Sequence, residues 1–295
     1  MTEIEKPERD PLQQKVLEHI QKSGYPFEAR IARAFSNCRV DEDLIDMHVS
    51  EYDTSPIHVV ADLKPKILVR CGVPYFDAAE QKPRELDVHA VMSIKVMNLD
   101  LKINFIVQCK DTDKIWIFCH YGFETVPTIL GKYYDHGIEF RYKDKPLDAL
   151  KLILSPDPVL GTDPRTLCGA AKVMVKKNGD DKKDDIWEAC ITAIKATRYV
   201  RDVVKRTIKA EGQKELSLFV PMVATGNLIY HVDLSGETAE AKQVDVAYYS
   251  LQTIAEDGLM HEHYPIPIIT EASLSQVVNS TVLNATRFLL GCFTW

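Results

Sequence analysis

In the segment FIVQCK, residues 105–110, Gln108 and Lys110 lie two apart, so an extended chain turns both side chains to one face. An amide and an ammonium at a strand end gain chemical meaning once a carboxylate joins them. Asp87 is the candidate, at the start of LDVHAVMSIKVMNLDLKINFIVQCK, residues 86–110. A two-residue turn at Asn98 and Leu99 folds that stretch into a hairpin. One face then pairs Val88 with Cys109, Ala90 with Val107, Met92 with Phe105, Ile94 with Ile103 and Val96 with Leu101, every one apolar. The other pairs Asp87 with Lys110 and His89 with Gln108 at its open end, and Lys95 with Lys102, an unfavourable like-charge pair, near the turn. A one-residue slip would scramble the apolar face.

The open end thus gathers an acid, an amide and an amine, a set suited to metal-assisted phosphodiester hydrolysis. A hard cation such as Mg²⁺ (or Mn²⁺) takes oxygen ligands and keeps several waters. Asp87 offers a carboxylate, Gln108 a neutral side-chain oxygen and Cys109 its backbone carbonyl. Lys110 can hold or activate the attacking water and offset negative charge. On spacing alone, Asp87 and Lys110 also read as a surface ion pair, worth about 0–1 kcal/mol.

The order of these motifs resembles the PD-(D/E)XK nucleases, the restriction-endonuclease-like superfamily, and within it the Mrr-like branch whose last motif is Q-x-K. The resemblance covers roughly residues 10–120 and carries Asp87 in RELDVH and Gln108 and Lys110 in QCK. It adds Glu28 in PFEARIARAF, matching the acidic residue that the family places on its N-terminal helix beside the metal. It implies a restriction-endonuclease-like core, a central mixed sheet flanked by helices, and Mg²⁺-dependent endonuclease activity on DNA. Two departures stand out. KPRE, residues 82–85, replaces the glycine-rich stretch common before the aspartate, so Glu85 could share the role of Asp87. Gln108 in place of an acid removes one negative charge and shifts the burden to Glu28 and Asp87.

The elements that must position these groups read as follows. Residues 10–24 predict a helix started by Asp10 and Pro11 and stopped by Gly24, and PFEARIARAF a second, with Phe27, Ile31, Ala34 and Phe35 on one stripe. DLIDMHVSEYD, IHVVADL, KILVRCG and IWIFCHY predict strands around the hairpin, with Trp116 packing behind the site. Short helices are expected near 147–154 and 164–175, and a mixed-charge connection over 176–185. A long helix over 186–212 precedes the strands LSLFVPMVA, LIYHVDL, VDVAYYSL and YPIPIIT and a terminal helix over 271–290. Without an internal repeat or clear linker, we expect a single α/β domain over 1–295 with an elaborated C-terminal half.

On the long helix, Arg198, Arg201, Lys205 and Lys209 share a stripe that reads equally as a phosphate-backbone track or a solvated face. A net charge of −7 confines any DNA contact to such a local patch. HEH at 261–263 lacks metal-ligand spacing and is taken as loop. Seven scattered cysteines without a C-x-x-C pair favour free thiols, and the polar N-terminus and lack of an 18-residue apolar run predict a cytoplasmic protein with no membrane span. A homodimer would supply the two sites that cutting both strands requires. The rival from another class is an inactive nuclease-fold module that binds nucleic acid or a protein. A small-molecule enzyme is less attractive, since G-x-G-x-x-G, Walker and G-x-S-x-G motifs are absent.

Overall fold

The computed structural model describes residues 11–21, 23–40, 61–96, 99–112, 114–121, 141–142, 145–146, 167–168, 170–175, 185–211, 215–254 and 261–293. Helices α1 (Pro11–Gln21) and α2 (Tyr25–Asn37) precede a meander of long strands, β1 (Ala61–Asp77), β2 (Lys82–Val96) and β3 (Leu99–Lys110). Then come β4 (Lys114–His120), the two-residue strands β5 (Arg141–Tyr142), β6 (Lys145–Pro146) and β7 (Leu167–Cys168), and β8 (Ala170–Val175). Helix α3 (Asp185–Glu211) leads into β9 (Glu215–Thr225), β10 (Leu228–Asp233), β11 (Glu240–Val244), β12 (Val246–Ile254) and β13 (His261–Ile269), and a 3₁₀ turn opens α4 (Leu274–Phe293).

The strands form a seven-stranded mixed sheet, in the order β1-β2-β3-β9-β13-β12-β7, and a four-stranded one, β11-β10-β4-β8. Antiparallel pairing runs through β1, β2 and β3, and β3 then pairs in parallel with β9 from Asp100↔Glu215 to Lys110↔Thr225. A parallel neighbour needs a crossover, and α3 lies in that crossover. Segments on either side of α3 thus share one sheet.

Helices cover both faces. Phe27, Ile31 and Phe35 of α2 and Val277, Val278 and Val282 of α4 bury against Val88, Ala90, Met92, Ile103, Phe105 and Val107. Phe35 meets Phe105 at 5.5 Å between ring centroids, a contact whose truncation to alanine would cost about 3–5 kcal/mol. On the other face Ala196 and Val200 of α3 pack on Ile106, while Ile186, Ala189, Cys190 and Ile194 pack with Trp116 and Phe118 of β4. Strand β1 changes sides along its length: Ile67 and Val69 join the α2 face, Val73 and Tyr75 the α3 face. Gly72, with φ of +61°, sits at the switch, a backbone conformation that side chains rarely adopt.

The hairpin pairs two residues away from the expected register. Val88 lies opposite Val107, Ala90 opposite Phe105 and Val96 opposite Leu99, so Leu99 belongs to β3 rather than to the turn. An even shift keeps each residue on its expected face, which is why the apolar set stays buried. It also sets Lys95 opposite Asp100 rather than Lys102, replacing a repulsive pair by an attractive one at about 0.2–1 kcal/mol each.

Two further expectations are corrected. Residues 167–168 and 170–175 are strands rather than a helix, because pairing of β8 with β4 overrides the local preference of AAKVMV. HEH begins β13, with His261 opposite Ile254 of β12. The strand expected at 43–53, most of IHVVADL, the helix near 147–154 and the connection at 176–184 lie outside the described residues. No described helix is long and apolar enough to cross a membrane. None of Cys38, Cys71, Cys109, Cys119, Cys168 and Cys190 forms a disulfide with another described residue.

Candidate active site

The register shift brings Asp87 beside Gln108. Gln108 Nε2 donates to Asp87 Oδ2, and so does the backbone N–H of Cys109, at 2.6 Å. The amide must present its NH₂ to the carboxylate, which leaves Gln108 Oε1 pointing elsewhere. That oxygen is buried in a residue only 9% exposed and has no hydrogen-bond partner among the described residues. A buried acceptor left without a donor costs about 1–3 kcal/mol, so it marks a place where something is owed.

Glu28 reaches the same place from α2. Its backbone N–H closes the first helical turn on the Gly24 carbonyl at 3.1 Å, and Phe27 and Ile31 fix the helix on the sheet. Burial of its carboxyl, and then the charge of Glu85, raise the Glu28 pKa above the usual carboxylate range. Asp87 is pushed up to about 7, first by burial and then by the charges of Glu28 and Glu85, against the Cys109 N–H and the Lys110 ammonium. Glu28, Glu85 and Lys110 therefore sit within electrostatic reach of Asp87, and Glu85 within reach of Glu28. Around Asp87, the acids outweigh the single amine.

Two thiols border the cluster. Burial, then the charges of Glu28 and Asp87, raise the pKa of Cys71; burial, then Asp87, Glu28 and Cys71, raise that of Cys109. Neither is an activated nucleophile.

The end of β3 is pinned from the C-terminal half. Gly226 N–H donates to the Lys110 carbonyl at 3.0 Å, and the Thr112 N–H and hydroxyl donate to Asn227 Oδ1. A Cβ on Gly226 would lie 2.2 Å from Asp111 Oδ1, so a side chain there would have to displace the Asp111 carboxylate. Lys110 itself makes no ion pair with any described residue; Arg30 instead bridges Asp111 at 3.7 Å and Glu271 at 3.0 Å. No family model, curated protein or solved structure matches this chain.

Among the described residues, no three His, Cys, Asp or Glu side chains are grouped closely enough to hold an ion by themselves. The donors at this site are of mixed type: the Asp87 and Glu28 carboxylates, the Gln108 amide oxygen and the Cys109 carbonyl. Within an extended residue, N–H and C=O point to the same side, so the Cys109 carbonyl shares the side from which its N–H meets Asp87. That set fits a hard cation held by one or two carboxylates and water.

His89 lies outside this cluster. Its Nε2 meets Asn104 Oδ1 at 3.2 Å, and burial holds its pKa below the usual histidine range. On α3, Arg201 is largely buried and pairs with Asp202 at 3.2 Å, Arg198 is half-buried, and the side chains of Lys205 and Lys209 lie outside the described residues. Sequence reasoning missed the glycine beside the site: Gly72, within the strand-like run KILVRCG, carried the usual signal of a bulge or a close approach.

Proposed function

We propose that this chain is a divalent-cation-dependent endonuclease acting on DNA, with the PD-(D/E)XK arrangement that its sequence resembles. The observation that carries the reading is the buried Gln108 oxygen without a donor, beside a carboxylate whose nearest charges are mostly carboxylates. Asp87, Gln108, the Cys109 carbonyl and Glu28 would hold Mg²⁺ or Mn²⁺. The cation would supply Lewis acidity, making a water more acidic and a phosphoryl oxygen more electrophilic. Asp87 is held in place by the Cys109 N–H and the Gln108 amide, and Glu28 by the first turn of α2. Lys110, free of any described ion-pair partner, can hold the attacking water and offset charge on the phosphate as it gains a fifth oxygen. The mixed sheet with helices on both faces and the helix–strands–Asp–strand–QxK order are consistent with a restriction-endonuclease-like core.

The rival reading, an inactive module that binds nucleic acid or a protein, draws on the two hydrogen bonds that occupy Asp87 Oδ2. Plasmid and single-stranded DNA incubated with Mg²⁺ or Mn²⁺ separate the two. Cleavage should fall on the order of a thousandfold in Lys110→Ala and in Asp87→Ala. Cleavage that persists in both variants removes the site, and no cleavage of any substrate with either ion favours the module. A homodimer, if cleavage is double-stranded, would show as a doubled mass in light scattering.

A further inference from the structure

We propose that the open face of β1, β2 and β3 beside the candidate active site carries the phosphate backbone of the DNA, an inference that takes its polyanion from the nuclease reading and stands on other residues. Ile67, Val69, Met92 and Ile103 turn to the α2 face, so strand alternation sends Lys66, Arg70, His89, Ser93 and Lys102 to the opposite one. Pairing sets these in rows. Lys66 lies opposite Ser93 and Ser93 opposite Lys102, and four residues along β1 Arg70 lies opposite His89. With about 4.8 Å between strands and about 3.3 Å per residue, the cations span an area of about 10 by 13 Å.

Helix α3 packs on Ile106 and Phe219 of this face and leaves β1 open: Lys66 and Arg70 are exposed, and Leu68 between them is 51% exposed. Among the described residues, Lys66, Arg70 and the Ser93 hydroxyl have no hydrogen-bond or ion-pair partner. Acids border the patch without entering it. One row beyond Lys66, Lys95 lies between Asp62 and Asp100, and two residues before His89, about 7 Å along β2, comes Asp87. In a chain of net charge −7, that confinement leaves a polyanion one favourable landing place here and repulsion on either side. Two ammonium groups with a hydroxyl between them are donors that phosphate oxygens accept, and the Arg70 guanidinium adds a forked pair. Spread over that area, they suit a row of phosphates rather than a single one. A backbone lying on them arrives one row from Asp87. Arg201, in the stripe expected on α3, is instead largely buried and paired with Asp202.

Binding of a labelled DNA duplex to the full chain in EDTA, followed by fluorescence anisotropy over a salt series, tests this without cleavage. Lys66→Ala, Arg70→Ala and Lys102→Ala are each expected to weaken binding and to lower the slope of log affinity against log salt by about 1. Lys66→Arg and Arg70→Lys should keep the wild-type slope, which a packing defect would not. Lys242→Ala, the same change of net charge on exposed β11, should leave both quantities unchanged. Slopes in the three alanine variants equal to that of Lys242→Ala overturn the inference, as does binding to phosphatidylserine vesicles with none to DNA. Patch-dependent DNA binding by a protein that cleaves nothing would sink the nuclease reading and leave this inference standing. Cleavage that requires Asp87 while binding ignores Lys66, Arg70 and Lys102 would do the reverse.

Discussion

Asp77 and Asp87 stand ten residues apart on the same hairpin, and their surroundings treat charge in opposite ways. Asp77, 2% exposed, receives Lys195 Nζ at 2.9 Å, faces Arg84 Nε at 3.1 Å and accepts the N–H groups of Ala79 and Glu80. Burial works against its charge, yet the Lys195 ammonium and those N–H groups outweigh it and hold the carboxyl below the usual range. Glu80 joins the same clasp, bonding Lys195, Arg84 and Lys82. Asp87 has two hydrogen bonds as well, but its nearest charges are mostly acids, and its pKa climbs to about 7. One carboxylate is compensated by the chain and fastens the hairpin tip to α3. The other is left in surplus, as expected of a group whose counter-charge comes from outside.

The comparison breaks most visibly under neutralisation. Asp77→Ala removes the acceptor of the Ala79 and Glu80 N–H groups and leaves Lys195 and Arg84 to Glu80 alone, and should cost about 2–3 kcal/mol in urea unfolding at pH 7. Asp87→Asn should do the opposite without added cation. Because the folded carboxyl has the higher pKa, stability from its proton is complete below about pH 4 and is lost as pH rises through 7. The asparagine variant should therefore be more stable than wild type by about 2 kcal/mol at pH 8, shrinking to nothing near pH 4. A variant equally stable at both pH values would show that Asp87 carries no such penalty.

A smaller effect sharpens the contrast. Added Mg²⁺ should raise the wild-type Tm by a few degrees at pH 8 and by much less at pH 5, where Asp87 holds its proton. The Asp87→Asn protein should show no such rise, and Lys195→Met, which touches only the clasp, should keep it. Smallest of all, Lys95→Glu would set like charges opposite Asp100 and cost less than about 1 kcal/mol. No cost at all would argue against the observed register.

Much of this contrast was hidden in the sequence. The hairpin faces were legible because alternation marks them, and the α2 stripe because Phe27, Ile31 and Phe35 recur at helical spacing. The register was not: an even shift preserves every apolar pair, and only the charges near the turn distinguish the alternatives. Strand β11 escaped notice because EAKQV is nearly all solvent-facing and has no apolar alternation. The clasp joins residues 118 apart, Asp77 and Lys195, and no local pattern announces it. Asp87, Gln108 and Lys110 became candidates through their spacing and Glu28 through the resemblance.

The most direct test is an anomalous difference map from a crystal soaked in Mn²⁺ at pH 8. We expect one strong peak in contact with the Asp87 carboxylate and Gln108 Oε1. A map with no peak there, and with the Gln108 oxygen bonded to a protein donor instead, would contradict the account.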